Sequence, residues 1–190
     1  MKGPSDHTGG LFSLPLVGTG RLWETVSWNR TRAGQKTHMG KIDETDRRIL
    51  RILQRRGRIS NADLAQEANV SSSACHRRVQ RLEAEGIIRD YVALLDPRHL
   101  DRRATVFVEV TLASQADDIL AAFEKAVRKL PDVLECHLMA GKADYILKVV
   151  AADTEHFAEV HRQLVRLPGV QTMQSSFAMR TVFKTTALPV

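Results

Sequence analysis

Long apolar runs are missing from this chain of 190 residues. Nothing approaches the ~18 uninterrupted apolar residues of a bilayer-spanning helix. The richest run, GGLFSLPLVG near the start, is short, broken by glycine and proline, and preceded by Lys2 as its only basic residue. It makes neither a span nor a well-formed signal peptide, so the expectation is a soluble protein with no membrane partner. Cysteine is equally scarce. Cys75 and Cys136 lie in unrelated surroundings and form no C-x-x-C pair, which excludes a disulfide scaffold and fits a reducing cytoplasm. The seven histidines add no metal site. His137 would point to the opposite strand face from Cys136, and His156 and His161 are five residues apart, a poor spacing for two ligands on one helical face. A nucleophile paired with a base, a glycine-rich phosphate loop and a ligand cluster are all lacking, so no enzyme, cofactor or metal is expected.

Charge is present but uneven. Residues 1–38 carry five basic and two acidic side chains, residues 39–103 carry 14 and 10, and residues 104–190 carry 9 and 10. A basic first half joined to a near-neutral second half suggests a polyanion-binding module attached to a unit with another task.

Residues 1–38 show no sustained period and read as a disordered extension, with Met39 as a candidate true start. Order is expected from there. Asp43 is placed to cap a helix whose Ile42, Ile49, Ile52 and Leu53 fall at helical spacing before Gly57. Ser60 and Asp63 start a second, short helix with Leu64 and Ala68 inward, and Asn69 suits the left-handed turn that follows. A third runs from Ser71 as cap to Gly86 as terminator. Its Cys75, Val79 and Leu82 lie within about 60° of one another, while Ser73, Arg77 and Gln80 point away. Three helices with a tight turn between the second and third make a helix-turn-helix over residues 39–90. IIRDYVALLDP reads as an extended segment closing at Pro97, a wing or a linker strand over 91–103.

Residues 104–190 hold a repeat. Phe123, Leu130, Pro131 and Val133 recur 37 residues later as Val160, Leu167, Pro168 and Val170, so KLPDVLE matches RLPGVQT. Each unit reads strand, helix, strand: ATVFVEVTL, an amphipathic helix and VLECHLMA, then DYILKVVA, a second helix and VQTMQSSFAMRTVF. Two such units give a ferredoxin-like βαββαβ domain, and an α+β fold class for the whole.

The reading face of the third helix offers Ser72, Ser73, His76, Arg77, Gln80 and Arg81 as candidate DNA contacts, Arg77 first among them for a base edge. Arg78 sits nearer the core edge and suits a phosphate or an intramolecular ion pair. Arg81 suits a phosphate, with Arg47, Arg48, Arg55, Arg56 and Arg58 close in sequence. Cys75, on the apolar face, is read as packing. In the second half, the loop MAGKADY (Met139, Ala140, Gly141, Lys142, Asp144) combines a glycine that permits close approach with turn amides that suit a carboxylate. Asp144 suits an ammonium group, so a zwitterion fits. The plainer alternative is a hairpin turn in which Gly141 takes a positive φ and Asp144 stabilises the loop.

IDETDRRIL, GRISNADLAQEANVSSSACHRRVQRLEAEGII, ALLDPRHL, MAGKADYIL and SSFAM, in that order, resemble the Lrp/AsnC (feast/famine) family of transcription regulators over residues 39–190. SSSAC departs from the S-P-T-P-C found in many members, which bears on base contacts and leaves the fold untouched. The resemblance implies a winged helix-turn-helix, double-stranded DNA as partner and a small effector, commonly an amino acid. It also implies a homodimer through the C-terminal sheets that assembles into larger rings such as an octamer. Ser175 and Ser176 would then join the effector site from a neighbouring subunit. Two other functions compete. A tetrapyrrole-processing decarboxylase shares the architecture but has no need of an arginine-lined exposed helix. A stand-alone amino-acid-binding protein leaves residues 60–86 without a purpose.

Overall fold

A computed structural model describes residues 42–190. The expectations for residues 1–38 and for Met39 lie outside the described residues.

Three helices open the described chain, each begun by a side chain that accepts a hydrogen bond from the first turn. α1 (Glu44–Leu53) is capped by Asp43, which accepts from the Asp46 amide at 2.8 Å, while the Asp46 carboxylate accepts from the Asp43 amide at 3.1 Å. This reciprocal box satisfies two otherwise orphaned donors. α2 (Asn61–Ala68) starts at Ser60, whose Oγ accepts from Asp63 N, and ends at Asn69 in the left-handed region, φ 56°. α3 (Ser72–Ala84) starts at Ser71 and is followed by Gly86 at φ 71°. The apolar faces meet in one core of Ile49, Leu50, Leu64, Ala65, Ala68, Cys75 and Leu82. Cys75 is fully buried there, and burial pushes its thiol pKa up.

Beyond α3 the chain departs from expectation. Residues 89–96 form neither helix nor strand among the described residues, and Pro97–Leu100 form a short 3-10 turn capped by Asp96. The branched residues suit a strand, but a ladder needs a second edge, and none of the described residues supplies one. Val92, Leu94 and Leu95 are left exposed. Tyr91 anchors the start of the segment by donating to Glu83 Oε1 at 3.0 Å.

The second half is a four-stranded antiparallel sheet in the order β2-β3-β1-β4, built from β1 (Ala104–Leu112), β2 (Val133–Leu138), β3 (Tyr145–Ala151) and β4 (Val170–Phe177). α4 (Asp117–Val127) joins β1 to β2, and α5 (Thr154–Val165) joins β3 to β4. The repeat is structural: α4 and α5 begin 37 residues apart, as do β2 and β4. Val106, Val108 and Val110 alternate inward along β1 and meet Tyr145, Leu147 and Val149 of β3 and Phe123, Phe157, Val160 and Leu164 of the helices. β4 stops at Phe177, opposite Val106 and shorter than the run of residues to Phe183 suggests; Ala178 N donates once more to Thr105 O at 2.9 Å, and β1 runs on to Ala104 paired with β3 alone. The chain then returns to the helical unit. Gln54 exchanges two hydrogen bonds with the Leu188 backbone (3.1 and 2.5 Å), and Val190 packs on the first core. Among the described residues no helix is long and apolar enough to cross a membrane.

Candidate nucleic-acid interface and ligand loop

α3 divides its polar residues between two environments. Ser72, Ser73, His76, Arg77 and Gln80 are exposed, and Arg77 forms no ion pair with another described residue. Ser73, Arg77 and Gln80 fall within about 60° on the helical wheel, with His76 at their edge, so one face near the N-terminal half presents hydroxyl, amide, imidazole and guanidinium groups together. That is the donor and acceptor set that base edges in a major groove require, carried by a helix of the right width.

Arg78 and Arg81 lie elsewhere. The Arg78 guanidinium donates to Asp46 Oδ1 at 2.8 Å and to Asp43 Oδ2 at 2.6 Å, and Arg81 donates to Asp46 Oδ2. Asp46 is completely buried. Of the two sequence-based options for Arg78, the ion pair is the one formed, and its hydrogen bonds to Asp46 and then Asp43 raise its pKa further. Asp43 is held below its ordinary carboxylate value first by the Asp46 amide and then by Arg78. Arg81, expected on a phosphate, is turned toward the same carboxylate. Asp46 escaped the sequence reading as a site residue. Its one local signal was the position three residues after the Asp43 cap; its arginine partners are 32 and 35 residues away. Elsewhere in the helical unit Arg47, Arg55 and Arg58 are exposed, whereas Arg56 pairs with Glu67 and Arg48 donates to Thr45 Oγ1.

In the second half, Met139, Ala140, Gly141 and Lys142 form the exposed tip between β2 and β3, closed by Met139 N donating to Asp144 O at 2.8 Å. Gly141 does not take a positive φ, and a Cβ built on it would meet nothing within 4 Å. The turn chemistry foreseen for this glycine is therefore not what the loop uses. Asp144 points inward instead. Its carboxylate, 7% exposed as a residue, accepts from Leu112 N at 2.7 Å and from Gln115 Nε2 at 2.6 Å, bracing the β1–α4 connection against the hairpin. Gln115 was not foreseen. Ser175 and Ser176 alternate across β4 and oppose Val108 and Phe107. They sit on the far side of β1 from the loop and two to three residues along it, roughly 10 Å in each direction at ordinary sheet spacings. Within one chain they do not join the loop.

Cys136, on β2, opens onto a cavity of about 400 Å³ with Glu124, Arg128, Leu134 and Tyr145. Cys136 is exposed at the mouth of this cavity, and partial desolvation by the surrounding side chains pushes its thiol up to about 11, so it stays protonated at neutral pH.

Comparison with known proteins gives consistent findings. Residues 42–89 match the winged helix-turn-helix DNA-binding family, and residues 105–188 match the Lrp/AsnC ligand binding domain. The leucine-responsive regulatory protein of Serratia marcescens is 40% identical over 158 residues, spanning 83% of this chain and 96% of that protein. Among solved structures, an AsnC family transcriptional regulator from Agrobacterium tumefaciens superposes with a TM-score of 0.75 at 38% identity, over 77% of this chain and 96% of that one. A transcriptional regulator from Neisseria meningitidis in complex with L-methionine gives 0.74 at 38% identity, with the same coverage.

Proposed function

Because the chain belongs to the Lrp/AsnC family of DNA-binding transcription regulators, we propose that it reads a specific operator through the exposed face of α3 and responds to an amino acid held at the 139–144 loop. The helical unit does the reading, and residues 104–190 hold the ligand and the subunit contacts. The enzyme alternative is set aside with the family assignment.

The observation that carries the effector half is Gly141. Its φ is not positive and no described neighbour crowds it, so the backbone at this exposed tip is open to close approach by a ligand or an adjoining subunit. Loop amides and Lys142 suit the carboxylate of an amino acid. Since the Asp144 carboxylate is already occupied, its part is to hold the loop in place, with its remaining lone pairs as the route to an ammonium group. Ser175 and Ser176 enter only if a second subunit supplies them. A homodimer through the sheet supports that arrangement. The face away from α4 and α5 has no helix over it among the described residues, and it carries Phe107, Glu109, Ile146 and Lys148 in alternation with the buried valines. Dimers joined further into rings would bring loops and β4 strands of different subunits together.

Methionine and leucine are the first amino acids to try, since a structural neighbour is complexed with L-methionine and a relative is named for its response to leucine. The test is a pair of titrations on the full chain: operator DNA with and without amino acid, and amino acid with and without operator. A coupling of about 1–3 kcal/mol changes each affinity by the same factor, ~5- to 150-fold. No binding by calorimetry to any of the twenty amino acids would overturn the effector assignment. A two-fold dimer also requires an inverted repeat with half-sites about 34 Å apart, or a multiple of that, so a footprint without dyad symmetry overturns the geometry.

A further inference from the structure

We infer that Asp46 is the positioning residue of the reading helix: its buried carboxylate clamps Arg78 and Arg81, fixes the rotation of α3, and withholds both arginines from the DNA backbone. This rests on the assignment of the exposed face of α3 as the reading face.

The Asp46 carboxylate is enclosed at the N-terminal turn of α1 and receives three donors: the Asp43 amide, Arg78 at 2.8 Å, and Arg81. Asp43 adds a second acceptor for Arg78 at 2.6 Å. Two carboxylates and two guanidiniums thus close a neutral cluster between the first helix and the third. A buried carboxylate with its lone pairs filled is tolerated, and one that loses a partner is not, so the cluster holds its geometry firmly.

That geometry bears on recognition through the helix wheel. Residues 78 and 81 are three apart and lie about 60° from each other on α3, with Arg81 next to Arg77 at the border of the exposed face. Pinning two adjacent side chains to one carboxylate on a different helix leaves α3 little freedom to rotate about its axis or slide along it. Ser73, Arg77 and Gln80 are therefore presented in one orientation. A second consequence concerns charge. α3 carries three arginines, and two of them, half-buried, are paired with carboxylates of the unit itself. Only Arg77 of the three is left to bring net positive charge to the groove, which favours discrimination between sequences over nonspecific phosphate attraction.

The experiment compares operator and random duplex over a salt series, with thermal melts as a check of folding. In Asp46→Asn the clamp loses its charge. The ratio of specific to random affinity is expected to fall by about the worth of one base contact, 5- to 150-fold. The salt exponent should steepen by about 0.9 for each released guanidinium that finds a phosphate. A folded Asp46→Asn chain with wild-type ratio and exponent overturns the inference.

Should that variant fail to fold, Arg81→Gln decides the matter. An unchanged exponent with a reduced ratio supports the clamp. An exponent shallower by about 0.9 per subunit, with the ratio intact, makes Arg81 a phosphate ligand and overturns it. Failure of the underlying assignment looks different: Arg77→Ala would then lose affinity equally on operator and random duplex, a result independent of the salt exponent by which Asp46→Asn and Arg81→Gln report the clamp.

Discussion

Replacing Asp144 by alanine removes the acceptor for two donors, and the structure sets the cost. Leu112 N, buried at the end of β1, donates to Oδ2 at 2.7 Å, and Gln115 Nε2 donates to Oδ1 at 2.6 Å. An amide left unpaired in the interior costs about 1–3 kcal/mol, whereas the partly exposed Gln115 amide can turn to water and cost little. Relief of carboxylate burial offsets part of this, so the net loss is about 2 kcal/mol. For a domain of this size, a shift of ~4–8 °C per kcal/mol puts the melting transition of the sheet domain on the order of 10 °C lower. Urea unfolding followed by circular dichroism measures it as a change in midpoint at constant slope. Asp144→Asn keeps one oxygen for Leu112 N, and Gln115 can present its own oxygen to the new amide, so the loss there should stay below ~1 kcal/mol. An alanine variant within ~0.5 kcal/mol of wild type would refute the brace. The asparagine variant then separates bracing from ligand contact: if it folds and binds amino acid as tightly as wild type, the negative charge plays no part in holding the ammonium group.

Arg77→Ala is expected to cost about 1–3 kcal/mol on the preferred operator and much less on random duplex, measured by fluorescence anisotropy at fixed salt. Gly169→Ala should destabilise by at least ~1 kcal/mol, because φ is +76° and the added methyl would lie 2.6 Å from Ile119 Cγ2; a calorimetric melt unchanged from wild type would contradict this. Cys136 is accessible, but its alkylation should be slow at pH 8 and accelerate toward pH 11 as the thiolate forms, since partial desolvation raises the thiol and only the thiolate reacts. Cys75, enclosed in the helical core, should react only when that unit unfolds; mass spectrometry of labelled peptides distinguishes the two.

What was legible in the sequence was local or periodic. Asp43, Ser60 and Ser71 each cap a helix as their type and spacing suggest, Asn69 takes the left-handed turn, and Cys75 with Leu82 faces the core because a helix puts residues seven apart on one side. The 37-residue repeat foretold two matching helix–strand units, since an apolar pattern copied along the chain must bury itself in the same way twice. Contacts that close over a long separation were not legible. Asp46 with Arg78 and Arg81, and Asp144 with Leu112 and Gln115, join residues 29 to 35 apart, and no spacing rule connects them. Residues 91–96 show the complementary failure. Their side chains suit a strand, but strand formation is a property of two edges, and branched residues specify only one. The arginines of α3 combine both lessons. Composition counts all three as charge toward a polyanion, yet a guanidinium serves DNA only if no buried carboxylate reaches it first, and the position of that carboxylate on α1 is decided by how the helices pack.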